Sequence, residues 1–317
     1  MSKRAFIFPG QGAQHVGMGQ DFFQQIKESK MVFEEADDTL KSPLSKVIFE
    51  GEEEDLKKTE TTQPAILTAS IAMLKALQKE GIDCDYTAGL SLGEYSSLVL
   101  SKALRFQDAL SIVRQRGKFM QEAVPNGVGG MAAILGLDRS RLPEVLLAAK
   151  DYGIVEVANY NSPEQIVISG EKKGLRIACA KALEEGAKKA VELPVSAPFH
   201  TSMLSPAGER LKLELEKVCI GDFQKKVITN VDGKAINSKD QLVSKLVDQV
   251  SNSVLWHQSI EYMIDEGVDT FIEIGPGKSL SGFVKRIGKS MGKDVKSMNI
   301  SDMDSFRSTV EKLTKGA

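Results

Sequence analysis

Short apolar bursts alternate with stretches of helical period along this chain, the pattern of an α/β protein. Lys3 to Phe8 reads as a first buried strand, closed by the loop Pro9-Gly10-Gln11-Gly12. Over Thr62 to Lys79, the residues Ile66, Ala69, Ile71, Leu74 and Leu77 fall near one helical face. Tyr86 to Leu90 predicts a strand and Glu94 to Leu100 a helix-like run. Phe106 to Ala123 predicts a further helix, stopped at Val124-Pro125-Asn126-Gly127.

The stretch from about residue 128 to 194 has its own rhythm. Strands are predicted at Met131–Leu135, Ile154–Ala158, Gln165–Ser169 and Lys189–Leu193, with helices at Arg141–Lys150 and Lys173–Glu185. The order is βαββαβ, a ferredoxin-like unit. Turn residues at Pro125-Asn126-Gly127 and between Pro194 and Pro198 suit the two crossings of an insertion. Beyond it, helices are predicted at Ser205–Val218, Asp240–Val250 and Ser259–Glu266, and strands at Val227–Asn230 and Thr270–Ile274. The expectation is a larger α/β domain with a parallel sheet over residues 1–126 and 196–317, interrupted by a small ferredoxin-like α+β subdomain over 127–195.

At the junction of the second strand and its helix stands Gly89-Leu90-Ser91-Leu92-Gly93. G-x-S-x-G between strand and helix predicts a nucleophile elbow, in which a tight turn lifts the hydroxyl out of the sheet edge. The N–H of Leu92 then points at a developing oxyanion. An ordinary strand-to-helix turn with Ser as a cap is the plainer alternative. A hydroxyl nucleophile needs a base, and the chain has three histidines, His15, His200 and His257. His15 follows a Gly-rich loop. His257 follows Trp256 near a helix start, as a surface or packing residue would. His200 lies in the two-proline loop LPVSAPFHTSM, and the shortage of alternatives favours it.

Composition narrows the classes. The chain has 317 residues, 42% hydrophobic and 26% charged, with a net charge of -2 and interspersed signs. Nothing draws it globally to nucleic acid or anionic lipid. Three widely spaced cysteines without C-x-x-C predict neither a disulfide framework nor a zinc site, and suit a reducing cytoplasm. The N-terminal apolar run is broken at Pro9 and Gly10, too short for a signal core or a membrane span. Gly277-Lys278-Ser279 resembles the end of a phosphate loop, but Ile272 stands where its first glycine belongs. Gly10-Gln11-Gly12 fails the dinucleotide fingerprint because His15 takes the third glycine's place. No metal and no cofactor are expected. Arg114, Arg116 and Lys118 share one predicted helix; a solvated basic face accounts for Arg114 and Lys118, whereas an inward arginine would clamp an anion.

These pieces together resemble the malonyl-CoA:acyl-carrier-protein transacylase family, which implies a hydrolase-like α/β domain with a ferredoxin-like insertion. FPGQG (8–12), TQPAIL (62–67), GLSLGEYS (89–96), RGKFMQEAVP (116–125), NSPEQIVISG (161–170), PVSAPFH (194–200) and EIGPGKSLSGFVKR (273–286) look like its motifs, in its order, over almost the whole chain. The resemblance implies that Ser91 attacks the thioester of malonyl-CoA and becomes malonylated, with His200 as acid and base. It implies an oxyanion hole at the N–H groups of Leu92 and Gln11, and a pairing of Arg116 with the malonyl carboxylate. It also implies that the Gln249 carbonyl orients His200. Phe199 resembles the bulky residue of malonyl-selective relatives. The partners implied are malonyl-CoA and acyl carrier protein, with no nucleic acid or membrane, on a monomer. Lys285, Arg286 and Lys289 are candidates for a basic rim facing an acidic carrier. Leu90 stands where some members have His, and Asn252-Ser253 where many have Asn-Pro. Three rival readings are a malonyl transferase serving a polyketide synthase in trans, a serine esterase or thioesterase, and a non-catalytic carrier-binding module.

Overall fold

The computed structural model of the chain describes residues 2–195 and 197–315. The expected domain limits at Met1, Ser196 and Ala317 fall outside those residues. Strand β1 (Lys3–Phe8) is followed by α1 (Gln20–Gln25), α2 (Lys27–Leu40), α3 (Leu44–Glu50), α4 (Glu53–Lys57) and the long α5 (Thr59–Lys79). Then come β2 (Tyr86–Gly89), α6 (Gly93–Leu100) and α7 (Phe106–Glu122). The middle of the chain forms β3 (Gly129–Leu135), α8 (Leu142–Ala149), β4 (Val155–Ser162), β5 (Gln165–Glu171), α9 (Lys172–Glu184) and β6 (Lys189–Glu192). The last third carries α10 (Ser205–Leu215), β7 (Lys226–Ile228), α11 (Leu242–Ser251), α12 (Trp256–Asp265), β8 (Val268–Ile274), α13 (Ser279–Ser290), β9 (Lys296–Ile300) and α14 (Met303–Lys315).

Two sheets organise these elements. Five strands run parallel in the order β7-β2-β1-β8-β9. Both faces are covered, as a parallel sheet requires. Along β1, Phe6 and Phe8 enter one apolar core while Ala5 and Ile7 enter another on the opposite face. The period of two in a strand makes this division inevitable. All five strands point the same way, so the loops after β1 and β2 emerge on one edge of the sheet; the Leu90 N–H donates to Phe8 O at 3.0 Å there.

The second sheet is antiparallel, in the order β4-β5-β3-β6. Ala132 and Ile134 face α8 and α9, whereas Met131 and Ala133 join the large core shared with α5 and α7. Its outer strand β4 is met by the chain before α12: Tyr160 N–H donates to Val254 O at 3.0 Å, and Val254 N–H to Ala158 O at 2.8 Å.

Sequence pattern left residues 20–57 and 296–315 without elements, and the structure places α1 to α4, β9 and α14 there. α1, α3 and α4 are too short to repeat an apolar face, α2 is longer but buries only Val32, Phe33 and Ala36 as apolar residues, and β9 is a half-exposed edge strand. The start of α5 lies at Thr59, three residues before the predicted one, with Pro64 inside the helix. Among the described residues no helix is long and apolar enough to cross a membrane.

Candidate active site

Ser91 occupies the turn between β2 and α6 at φ 53°, in the left-handed region that non-glycine residues rarely adopt. The turn is so tight that its flanks tolerate no side chain. A Cβ on Gly89 would lie 1.8 Å from the Gly93 carbonyl carbon, and one on Gly93 would lie 2.2 Å from Phe8 O. The small residues on either side of the serine are therefore a packing requirement. Asn230, just after β7, braces the turn: its Oδ1 accepts the Ser91 N–H at 2.6 Å, and its Nδ2 donates to Gly89 O at 2.7 Å.

His200 reaches this serine from a sequence distance of 109 residues, and Ser91 Oγ lies 2.8 Å from its Nε2. On the other side of the ring, Nδ1 is 2.8 Å from the carbonyl oxygen of Gln249 in α11. A carbonyl only accepts, so Nδ1 carries the hydrogen and Nε2 presents a lone pair to the serine hydroxyl. Burial, reinforced by the nearby Arg116 charge and opposed by the Gln249 carbonyl, pushes His200 down to about 4. The imidazole is thus neutral at neutral pH.

Arg116 in α7 is 1% exposed. Its Nη1 donates to Gln63 Oε1 at 2.8 Å; its Nη2 donates to Ser91 Oγ and to Gln249 Oε1, each at 3.0 Å. The guanidinium also lies 5.7 Å from the Tyr95 ring centre. Its hydrogen-bond partners are neutral oxygens, and burial lowers its pKa. Its helix neighbours point elsewhere: Arg114 donates to Leu40 O, and Lys118 is exposed and pairs with Glu122. The helical period separates the three basic residues, which adjacency in sequence does not show.

A cavity of about 160 Å³ opens over Ser91, with Gln11, Arg116, Phe199 and His200 in its walls. Phe199 is buried and stands beside Met120, Met131 and Val167, so this end of the cavity is apolar apart from Arg116 and Gln63. Asn159 and Asn161 of β4 line it from the antiparallel sheet. Among the described residues, the N–H groups of Gln11 and Leu92 have no protein acceptor. Leu92 N–H lies at the entry to α6, where the helix dipole favours negative charge.

The remaining sequence candidates lie apart. His15 is exposed, with Nδ1 3.5 Å from Ala13 O. His257 is buried at the start of α12 against Arg139. Lys285, Arg286 and Lys289 are exposed on α13, and Arg286 lies 3.8 Å from Glu164 in the β4–β5 turn. Ser253, the departure from Asn-Pro, donates its hydroxyl to Val157 O and ties that loop to β4. Among the described residues, no group of three or more His, Cys, Asp or Glu is placed to hold a metal. Sequence reasoning missed Gln63, Glu94 and Asn230. Gln63 and Glu94 stand inside quoted motifs, but nothing in the sequence shows that they turn toward Ser91.

Comparison with known proteins adds independent findings. A profile of the acyl transferase domain matches residues 5–309. The chain is 47% identical over 314 residues to the malonyl CoA-acyl carrier protein transacylase of Bacillus subtilis, covering 99% of this chain and 98% of that one. The crystal structure of the corresponding transacylase from Clostridium perfringens superposes with a TM-score of 0.95 at 48% identity, over 99% of this chain and 98% of that one. A malonyl-transacylase solved in complex with its type II polyketide synthase acyl-carrier protein gives a TM-score of 0.94 at 38% identity, over 98% of this chain and 100% of that one.

Proposed function

The chain belongs to the acyl transferase domain family, and from that premise we propose that it moves a malonyl group from malonyl-CoA to the phosphopantetheine thiol of acyl carrier protein through a malonyl-Ser91 ester. The observation that carries the residue assignment is one buried constellation: Ser91 Oγ within 2.8 Å of a neutral imidazole and 3.0 Å of an arginine.

Ser91 Oγ attacks the thioester carbonyl while His200 Nε2 takes the hydroxyl proton. The N–H groups of Leu92 and Gln11 receive the oxyanion; such a donor contributes about 100- to 1,000-fold in rate. Collapse of the tetrahedral intermediate expels the CoA thiolate, which takes the proton back from His200. The carrier thiol then enters, gives its proton to His200, attacks the ester and restores Ser91. The Gln249 carbonyl holds the imidazole in the required tautomer, so a neutral acceptor stands where a serine hydrolase triad has an acid. Arg116 exchanges its bond to Ser91 Oγ for the malonyl carboxylate while Gln63 and Gln249 hold the rest of the guanidinium. An acetyl group has no carboxylate, so it leaves the arginine with nothing better than those partners and is bound less well. Phe199 crowds any substituent on the malonyl α-carbon.

The finer architecture follows the same reading. The Ser91 turn is a nucleophile elbow. The antiparallel sheet, with strand order β4-β5-β3-β6 and two helices on one face, is a ferredoxin-like subdomain over about 127–195 set into the hydrolase-like domain. The working compartment is the cytoplasm. The likeness to a transacylase bound to a polyketide carrier favours one second reading, in which the acceptor is a polyketide rather than a fatty acid carrier protein; loading rates on the two carriers decide between them.

Intact-mass measurement after mixing with malonyl-CoA tests the main proposal. One malonyl adduct mapped to Ser91, discharged to carrier protein faster than to water, is expected. An adduct on another residue overturns the nucleophile assignment, and loss to water regardless of carrier identifies an esterase.

A further inference from the structure

Glu94, in the first turn of α6, is 1% exposed and does not line the cavity. A buried carboxylate with no contact to substrate calls for an explanation, because burial of a charge costs free energy unless hydrogen bonds offset it. Its Oε2 accepts two: from Gln249 Nε2 at 2.7 Å and from the Asn230 N–H at 3.0 Å. Both donors belong to residues that touch the site. Gln249 Nε2 also donates to Ser91 O at 3.0 Å, and Gln249 Oε1 accepts from Arg116 Nη2 at 3.0 Å.

An amide between a carboxylate and a guanidinium has one orientation. Its NH₂ must face the acceptor, and its oxygen must face the donor. Reversal would set NH₂ against Arg116 and oxygen against Glu94, losing two charge-assisted bonds at once. The same residue holds His200 through its main-chain carbonyl. Gln249 thus serves the imidazole with its backbone and Arg116 with its side chain, and Glu94 determines which way that side chain faces.

We propose that Glu94 is a positioning residue for malonyl recognition: it orients the Gln249 side-chain amide and through it aims Arg116 into the cavity. The role rests on the malonyl-transfer reading given above. It depends on an acceptor at the Oε2 position and not on net charge. Oε1 has no partner among the described residues, so it can carry a proton, or become an NH₂, without disturbing either bond at Oε2. Burial does push this carboxyl up to about 7, opposed by its two donors.

Two variants separate acceptor geometry from charge. Glu94→Asp keeps the charge but withdraws the acceptor by about 1.5 Å. Glu94→Gln removes the charge but can leave its carbonyl oxygen at the Oε2 position. The readout is the ratio of kcat/KM for malonyl-CoA to that for acetyl-CoA in the full chain, with acyl carrier protein as acceptor. A ratio divides out general losses at Ser91 or in folded fraction, so a merely structural role would not move it. Because displacement of a positioned group by about 1 Å costs up to about 100-fold, Glu94→Asp should lower the ratio at least about tenfold, with Glu94→Gln within about threefold of the parent. An unchanged ratio in Glu94→Asp, or an equal loss in Glu94→Gln, overturns the proposal. A parent protein without malonyl preference sinks the malonyl-transfer reading instead. If Glu94→Asp does not fold, the parent still decides: NMR should show the Gln249 side-chain NH₂ protected from solvent exchange, and rapid exchange refutes the role.

Discussion

His200 and His257 occupy closely matched surroundings. Each is buried, each lies against an arginine, and burial together with that arginine pushes each down to about 4. They differ in where the free lone pair points. Nδ1–H of His200 is given to a carbonyl, leaving the Nε2 lone pair on a serine hydroxyl. For His257, Nδ1 accepts from Arg139, and Nε2 lies 3.1 Å from Glu261 Oε1 without a hydrogen bond among the described residues. Its lone pair is occupied, and among the described residues no hydroxyl shares it. The arginines differ in the same way. Arg116 points into the cavity over Ser91, whereas Arg139 joins the antiparallel sheet to α12 through Ser162 O, the Tyr160 ring and His257. A depressed pKa therefore marks burial in both places, and only the hydrogen-bond directions separate the proposed base from a structural joint.

Substitution of each histidine puts that contrast to the test. His200→Ala should slow malonylation of Ser91 by about 1,000-fold, the scale of a lost general base, as read by stopped-time mass measurement. In the parent, protonation removes the lone pair, so the acylation rate should hold as pH falls through 6.5 and drop only near the depressed value of about 4. An acid limb near 6.5 would contradict the buried neutral imidazole. Arg116→Ala comes next: loss of one partner from a buried charged pair costs at least about 3 kcal/mol, so the malonyl-to-acetyl ratio in kcat/KM should fall by at least about 150-fold. If it does not change, the carboxylate is gripped elsewhere. The smallest effect belongs to the other histidine. His257→Gln keeps an acceptor for Arg139, and should leave kcat within about twofold while lowering unfolding free energy by about 1 kcal/mol. A large loss of activity would mean that the two regions are not independent.

Much of the architecture is legible in local pattern. β1, β2, α7 and the alternation from β3 to β6 follow from periods of two and 3.6 residues. The elements that escaped it are three helices of at most two turns, the mostly polar helices α2 and α14, and a half-exposed edge strand, where few apolar residues mark a face. Within the site, the G-x-S-x-G turn was readable because its residues are consecutive, but only Gly89 is kept bare by the turn's own backbone; Gly93 is kept bare by Phe8 and Pro9 at the end of β1. His200 was reached by elimination among three histidines, and Arg116 by resemblance to a family.

The sequence by itself pointed to a serine at a strand-to-helix turn in an α/β protein, because Gly89, Ser91 and Gly93 and the two periodic runs that flank them lie within a few residues of one another. Only the tertiary structure decided what surrounds the serine. Gln63, Asn230 and Gln249 come from 53 to 158 residues away from the groups they bind. Which way the Gln249 amide faces depends on having Glu94 on one side and Arg116 on the other. Hydrogen-bond direction is a property of neighbours in space, and no spacing along the chain encodes it.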